Sequence, residues 1–321
     1  MEEWNQTTTG FFLLGLFPTI KTGLFLFLLI VLIFLIAFLG NSTMILLIWM
    51  DDYLHFPMYI LLSQLSLMDL LYICSTVPKM AVNYLSGDIS ISMMGCVFQS
   101  AFFLIMAAAE GLLLASMAYD HYVAICHPLH YPILMNKRMC FLMIAGSWIS
   151  SSINSIYHTV YTLIMPFCNS RIINHFFLSF HHLFCDVPAM VPLACMDTWA
   201  YEYTVLFSTN IFLSVPFIGI MASYGRVLYA VHHMHSSQGR KKAFTTCSSH
   251  LTVVTFYYAP FVYTYLRPPS LRSPEEDKKL AVFYTILTPM LNPIIYSLRN
   301  KEVLGALQRV FGQFQKQCLG I

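Results

Sequence analysis

Charge is what this chain has least of. Only 10% of its 321 residues are Asp, Glu, Lys or Arg, against 58% hydrophobic and 15% aromatic. Soluble domains carry roughly 25% charged residues, so a water-soluble globule is excluded and the chain belongs in lipid. The formal net charge is +2. That argues against nucleic acid as a partner, which asks for a strong basic patch. The nine cysteines include no CxxC pair, so a structural zinc site lacks its usual ligand spacing. The first residues, MEEWNQTTTG, hold neither a basic region nor a cleavage site. No removable signal peptide is expected, and the first apolar helix is expected to direct insertion. No grouping of nucleophile, base and orienting residue stands out, nor any phosphate-binding loop, so an enzyme is not expected.

What is there is a series of long apolar runs. A membrane helix needs ~20 mainly apolar residues. Seven runs qualify, at 22–50, 56–81, 96–121, 139–165, 203–231, 242–266 and 278–298. The first carries no charge, the second holds Asp69, the third holds Glu110, and the fifth is apolar until Arg226. Continuous runs of this kind exclude a β-barrel, whose strands alternate over ~10 residues. The expectation is an all-α membrane protein, a seven-transmembrane helix bundle forming a single domain over 1–321. Residues 302–315 read as a short amphipathic C-terminal helix on the membrane surface, with Val303, Leu304, Leu307, Val310, Phe311 and Phe314 on its apolar side.

With the N-terminus outside, ten of the 17 Lys and Arg fall inside and seven outside, a modest positive-inside bias. The sequon Asn5-Gln6-Thr7 agrees, because glycosylation at Asn5 requires a luminal position. A second match, Asn41-Ser42-Thr43, lies inside the first run and out of reach.

The rest of the chain is organised around MAYDHYVAICHPLHY at 117–131, where Asp120 and His121 sit as the third apolar run meets water. This block resembles the end of the third helix in odorant receptors, a branch of the rhodopsin-like G-protein-coupled receptors. Matching blocks cover nearly the whole chain. They are Gly40-Asn41, LHFPMY at 54–59, LSLMDL at 65–70, Pro78-Lys79, KAFTTCSSHL at 242–251 and PMLNPIIYSLRN at 289–300. The last two together are highly specific to that family. Two positions depart from its pattern. The family usually has Arg where this chain has His121, and HFFLSFHHLFC inserts extra residues ahead of Cys185. The insertion puts the fold of that loop over the pocket in doubt. Its His181 and His182 read either as ligands for a metal such as copper or, by preference, as solvated loop residues.

The resemblance implies a receptor of the plasma membrane of sensory cilia that binds a small, mostly apolar volatile odorant. It implies an olfactory-type heterotrimeric G protein and cyclic AMP as output, a trafficking chaperone and lipid as partners, and no cofactor beyond a candidate sodium ion. It implies disulfides Cys96–Cys185 and Cys168–Cys195 on a face that matures in an oxidising lumen. Cys74, Cys126, Cys140, Cys247 and Cys318 read as reduced packing residues. It also implies that Asp69, Glu110 and Asn292 face one another and share a sodium ion or a proton. From Cys96 to Glu110 is 14 residues, or ~21 Å of helix, which puts Glu110 near mid-membrane. Ionisable groups at that depth mark function by default. The competing reading is a pair of protonated, hydrogen-bonded carboxyls. A proton-relay transporter would use the same groups, but no inverted repeat or paired broken helices are present.

At the inner face the implied coupling set is Asp120, His121, Tyr122, Tyr224, Lys241, Lys242, His250, Asn292, Pro293 and Tyr296. The family's Arg pairs with its Asp at rest and swings toward the fifth helix on activation. His121 is shorter and mostly uncharged near neutral pH, so it is expected to hold Asp120 less firmly and to brace Tyr224 poorly.

The pocket is expected on the outer half of the bundle. Helical spacing puts Phe103, Leu104, Ala107 and Ala108 on one side of the third run, and Ser208, Thr209 and Phe212 on the fifth. Tyr257, Phe261 and Thr264 follow on the sixth and Thr285 on the seventh, with Val187 placed to close the top. The set describes an apolar cavity with a few hydroxyls and no fixed charge, suited to a small neutral molecule. It offers an amine no counter-ion. Two alternatives remain: a small-solute transporter or channel, and a receptor that couples weakly because of His121.

Overall fold

The computed structural model describes residues 10–12, 20–86, 90–166, 194, 197–234, 236–265, 280 and 282–319. They are nearly all helical. The helices are α1 (Ile20–Met50), α2 (Pro57–Ser86), α3 (Met93–Cys126), α4 (Tyr131–Leu134), α5 (Lys137–Ile164), α6 (Trp199–Thr209), α7 (Val215–His232), α8 (Ser237–Tyr265), α9 (Thr288–Arg299) and α10 (Lys301–Leu319). One feature lies outside the all-helical expectation. Strand β1 (Gly10–Phe12) pairs antiparallel with β2 (Ser90–Ser92), Phe11 opposite Ile91, so the start of the chain lies across the α2–α3 connection.

Among the described residues five helical stretches are long and apolar enough to cross a membrane: Gly23–Met50, Pro57–Ser86, Met93–Cys126, Lys137–Ile164 and Trp199–His232. Their exteriors are oily. Leu24, Phe25, Leu28, Leu32, Leu35 and Leu39 of α1 are all about half exposed or more. Helix α5 is inside out by the standards of a soluble protein. Its buried stripe is Ser147, Ser151, Ser155, His158 and Thr162, at steps of three and four, while Ile149, Ile153, Ile156, Val160 and Ile164 face outward. Small polar residues let helices approach closely where lipid, not water, surrounds them. The Ser155 hydroxyl accordingly donates to Ala101 O of α3 at 2.7 Å.

Helix α3 is the axis of the bundle. It packs on α2, α5, α7 and α8, and it buries residues from Cys96 to Val123. It outruns the apolar segment expected to end at His121 and continues to Cys126, where His127 caps it ahead of Pro128. The residue before a proline is biased out of the helical region, so the stop is local chemistry.

Two widened turns have one cause. Between α6 and α7 the turn Asn210–Ser214 is a π-helix, and Val215 N–H reaches back five residues to Asn210 O. Before α9 the turn Phe283–Leu287 is another, and Thr288 N–H reaches Phe283 O. In each case the next residue is a proline, Pro216 or Pro289. Proline has no N–H to give the carbonyl four residues back, and the widened turn absorbs the lost bond.

The inner end is tied by polar contacts. Gly40 lets α1 meet Pro293, whose Cγ would lie 3.0 Å from an added Cβ. Asn41 Nδ2 donates to Pro289 O at 2.8 Å. Arg309 of α10 gives Nε and Nη2 to Asp51 Oδ2 at 3.0 and 2.7 Å and lies 4.8 Å over the Tyr53 ring. Tyr59 donates to Glu302 and accepts from Asn300, both at 2.9 Å. Val303, Ala306 and Val310 form the buried face of α10, with Leu307 packed beside them and Leu304 partly exposed.

Candidate ligand cavity and intracellular switch

A cavity opens between α3, α5, α6 and α8. Nine residues expected from spacing line it: Phe103, Leu104, Ala107 and Ala108 from α3, Ser208, Thr209 and Phe212 from α6 and its π-turn, and Tyr257 and Phe261 from α8. Thr285 is not among the lining residues; it is fully buried in the second π-turn. Val187 and the side chain of Thr264 lie outside the described residues. Among the described residues that line the cavity, none is an acid, a lysine or an arginine. The lining is of the kind found in small-molecule sites, which are mostly apolar with a few placed polar groups.

Spacing alone missed Asn154, His158, Val205 and Leu213, which also line the cavity. The signal was the inward polar stripe on α5, legible only once the helix is read as lipid-facing on its apolar side. His158 is buried and fully engaged. Tyr201 Oη lies 3.1 Å from its Nδ1 and Ser208 Oγ 2.9 Å from its Nε2. The Ser208 hydroxyl reaches Val205 O at 3.0 Å, and Tyr161 stacks on Tyr201 at 3.9 Å. Tyr257 donates to Ala107 O at 2.6 Å, bonding α8 to α3 at the cavity floor. Gly111, one turn below, makes that approach feasible: a Cβ there would sit 3.0 Å from Tyr257 Oη and 3.3 Å from Phe212 O.

Deeper in the bundle, Asn292 Nδ2 donates to both oxygens of Asp69, at 3.2 and 3.0 Å. Asp69 lies within coulombic reach of Glu110. Glu110 Oε1, Asn292 Oδ1 and Tyr296 Oη are buried without a hydrogen-bond partner among the described residues. Unmatched buried oxygens suit a hard cation or ordered water. Among the described residues no three His, Cys, Asp or Glu side chains gather as a metal cluster, so any ion here would rely on amide and hydroxyl oxygens beside the two carboxylates.

The inner switch differs from its sequence expectation. Asp120 is bonded by Tyr131, whose hydroxyl donates to Oδ1 at 2.8 Å. No His121–Asp120 bond is present among the described residues. Burial, and then the Asp120 charge, hold the Tyr131 phenol well above its ordinary pKa, so it remains a donor. His121 turns inward instead. Its ring is buried, 3.4 Å from Tyr224 Oη through Nδ1 and 5.2 Å between ring centroids from His250. Tyr224 Oη lies only 2.6 Å from His250 Nδ1. Tyr122 points away and meets His127 at 3.0 Å. Tyr296 is buried nearby, Pro293 packs on Gly40, and Lys241 is exposed. The Lys242 side chain lies outside the described residues.

Cys96 is disulfide-bonded. Cys74, Cys126, Cys140 and Cys247 are free. The expected partners Cys168, Cys185 and Cys195 lie outside the described residues, as do Asn5, His181, His182 and the side chain of Cys318.

An oily helical exterior and a mostly apolar cavity within the bundle are those of a membrane-embedded helical protein. The family model described as olfactory receptor matches residues 30–314, and the chain belongs to that family. It is 68% identical over 320 residues to human olfactory receptor 2L3, covering 100% of this chain and 99% of the relative. It is 68% identical to human olfactory receptor 2L13 over 98% of each chain, and 51% identical to human olfactory receptor 2T1 over 98% of this chain and 84% of that one. It is therefore an odorant receptor of the G-protein-coupled class and not an enzyme.

Proposed function

We propose that this receptor binds a small, mostly apolar odorant in the cavity between α3, α5, α6 and α8. Binding there promotes nucleotide exchange on an olfactory-type G protein and raises cyclic AMP. The observation that carries this reading is a cavity lined by the rings of Phe103, Phe212, Phe261 and Tyr257, with no acid, lysine or arginine among its described lining residues. Seven spans with the N-terminus outside, delivery to the plasma membrane of sensory cilia with a trafficking chaperone, glycosylation at Asn5, and α10 lying on lipid complete the reading. Ligand-driven cyclic AMP without ligand-driven current or uptake, measured in one cell line, tests it. Current or uptake without cyclic AMP would replace the receptor with a channel or transporter.

The loop cysteines are assigned the pairs Cys96–Cys185 and Cys168–Cys195, supported by the bonded state of Cys96. Cys96→Ser and Cys185→Ser are each expected to abolish surface delivery, read by labelling an N-terminal tag on intact cells. Normal surface levels and responses in both variants would refute that pairing.

Asp69, Glu110 and Asn292 are assigned a shared sodium ion or proton, supported by the unpartnered oxygens around them. Asn292 orients Asp69, and Glu110 would complete the acidic half of the site. Glu110→Gln is expected to change basal or ligand-driven cyclic AMP and to flatten any dependence on sodium. A dose response identical to the native one across sodium concentrations would leave only hydrogen-bonded packing.

A further inference from the structure

The cavity's polar groups divide into spent and unspent. Tyr257 gives its hydroxyl to Ala107 O. His158 has both ring nitrogens engaged, by Tyr201 and Ser208, and Ser208 also reaches Val205 O. These groups hold α5, α6 and α8 in place and have little left to offer a ligand. Asn154 of α5 and Thr209 of α6 differ. Both line the cavity, both are half-buried, and among the described residues no hydrogen bond engages either side chain.

A primary amide has two donors and an acceptor, and a hydroxyl has one donor and two lone pairs. Facing an oily volume without a partner, such groups are left short of the hydrogen bonds that buried polar groups normally make. A ligand that replaces the lost bonds gains affinity, and one that covers these groups with hydrocarbon leaves them unpaired. Sites built this way reject the analogue that lacks the polar atom far better than they reject an extra methylene. Phe103 and Ala107 of α3 and Phe261 of α8 offer hydrocarbon contact only.

We propose that Asn154 and Thr209 form the polar anchor of the cavity and set its specificity. The odorant is then an uncharged molecule carrying one hydrogen-bonding oxygen, a carbonyl or a hydroxyl, on an apolar body. Its oxygen is held at the α5–α6 wall and its body lies against the rings of α3 and α8. This inference rests on the assignment of the cavity as the odorant site. Carboxylates and amines are disfavoured, since among the described residues the wall carries no acid, lysine or arginine to pair with them.

The test uses the full-length receptor in cells, with cyclic AMP normalised to surface receptor. The probes are straight-chain and cyclic skeletons, each presented as hydrocarbon, ketone, alcohol and carboxylate. The native chain should answer ketones or alcohols and not the matched hydrocarbon or carboxylate. Asn154→Leu, close in volume, should raise the half-maximal dose of the oxygenated probe by about tenfold or more, as expected for removing the partner of a buried polar atom. Thr209→Val should act in the same direction with a smaller shift. Ala108→Trp, which fills the cavity, should remove every response. Native preference for a hydrocarbon or a carboxylate, no native response to any probe, or an unchanged potency in both Asn154→Leu and Thr209→Val, would overturn the anchor. Responses that survive Ala108→Trp would instead overturn the cavity assignment itself, so the two failures are distinguishable.

Discussion

Gly111→Val is expected to abolish the response to every odorant that the native receptor answers. The position has no room. A Cβ built there lies 3.0 Å from Tyr257 Oη and 3.3 Å from the carbonyl oxygen of Phe212. Neither neighbour yields easily, because Tyr257 is bonded to Ala107 O at 2.6 Å and Phe212 O belongs to the π-turn backbone. Overpacking a filled interior costs about 1–3 kcal/mol, and valine adds two methyl groups beyond that Cβ. The strain falls where α3, the π-turn and α8 converge below the ligand, so the cavity floor moves with it. Gly111→Ala should give a graded loss, with a raised half-maximal dose and partial surface delivery. Surface labelling and cyclic AMP dose curves on the two variants separate a misassembled bundle from a displaced floor. A valine variant with native surface level and native potency would show that this contact matters little.

His121→Arg is expected to raise ligand-driven cyclic AMP at equal surface expression. In the structure His121 does not bond Asp120; its ring lies inward with Tyr224 and His250, and Tyr131 holds the carboxylate. Arginine is longer, stays charged and presents five donors in a planar fork. From this position it has the length and donors to compete with Tyr131 for Asp120 at rest and to reach Tyr224 or the G protein when the bundle opens. The histidine has two ring nitrogens, and Nε2 is buried without a protein partner. Tyr131→Phe offers an independent check, since it frees Asp120 without touching α3, and it should raise basal signalling if the tyrosine is a resting clamp. Equal maximal responses for the native and arginine receptors would mean that the surrounding contacts set coupling and that the histidine is neutral.

Much of the architecture is local and therefore legible. Apolar runs give helices in lipid because backbone groups there have no water to bond and must satisfy one another. Residues three and four apart share a face, which is why nine of the expected lining residues meet in one cavity. The blocks around Asp120 and Asn292 carried the family, and 68% identity to human olfactory receptor 2L3 agrees with them.

What the sequence by itself determined is the medium, the helices, the family and the apolar wall of the cavity, since each depends on composition or on spacing within one helix. Only the tertiary structure decided which polar side chains are already engaged. His158 is spent on Tyr201 and Ser208, residues 43 and 50 positions away, whereas Asn154 on the same helix faces the cavity without a partner. It also decided that Asp120 answers to Tyr131 and that His121 answers to Tyr224, 103 positions on. A hydrogen bond between helices depends on their rotation and depth, and those are set by packing of the whole bundle at once.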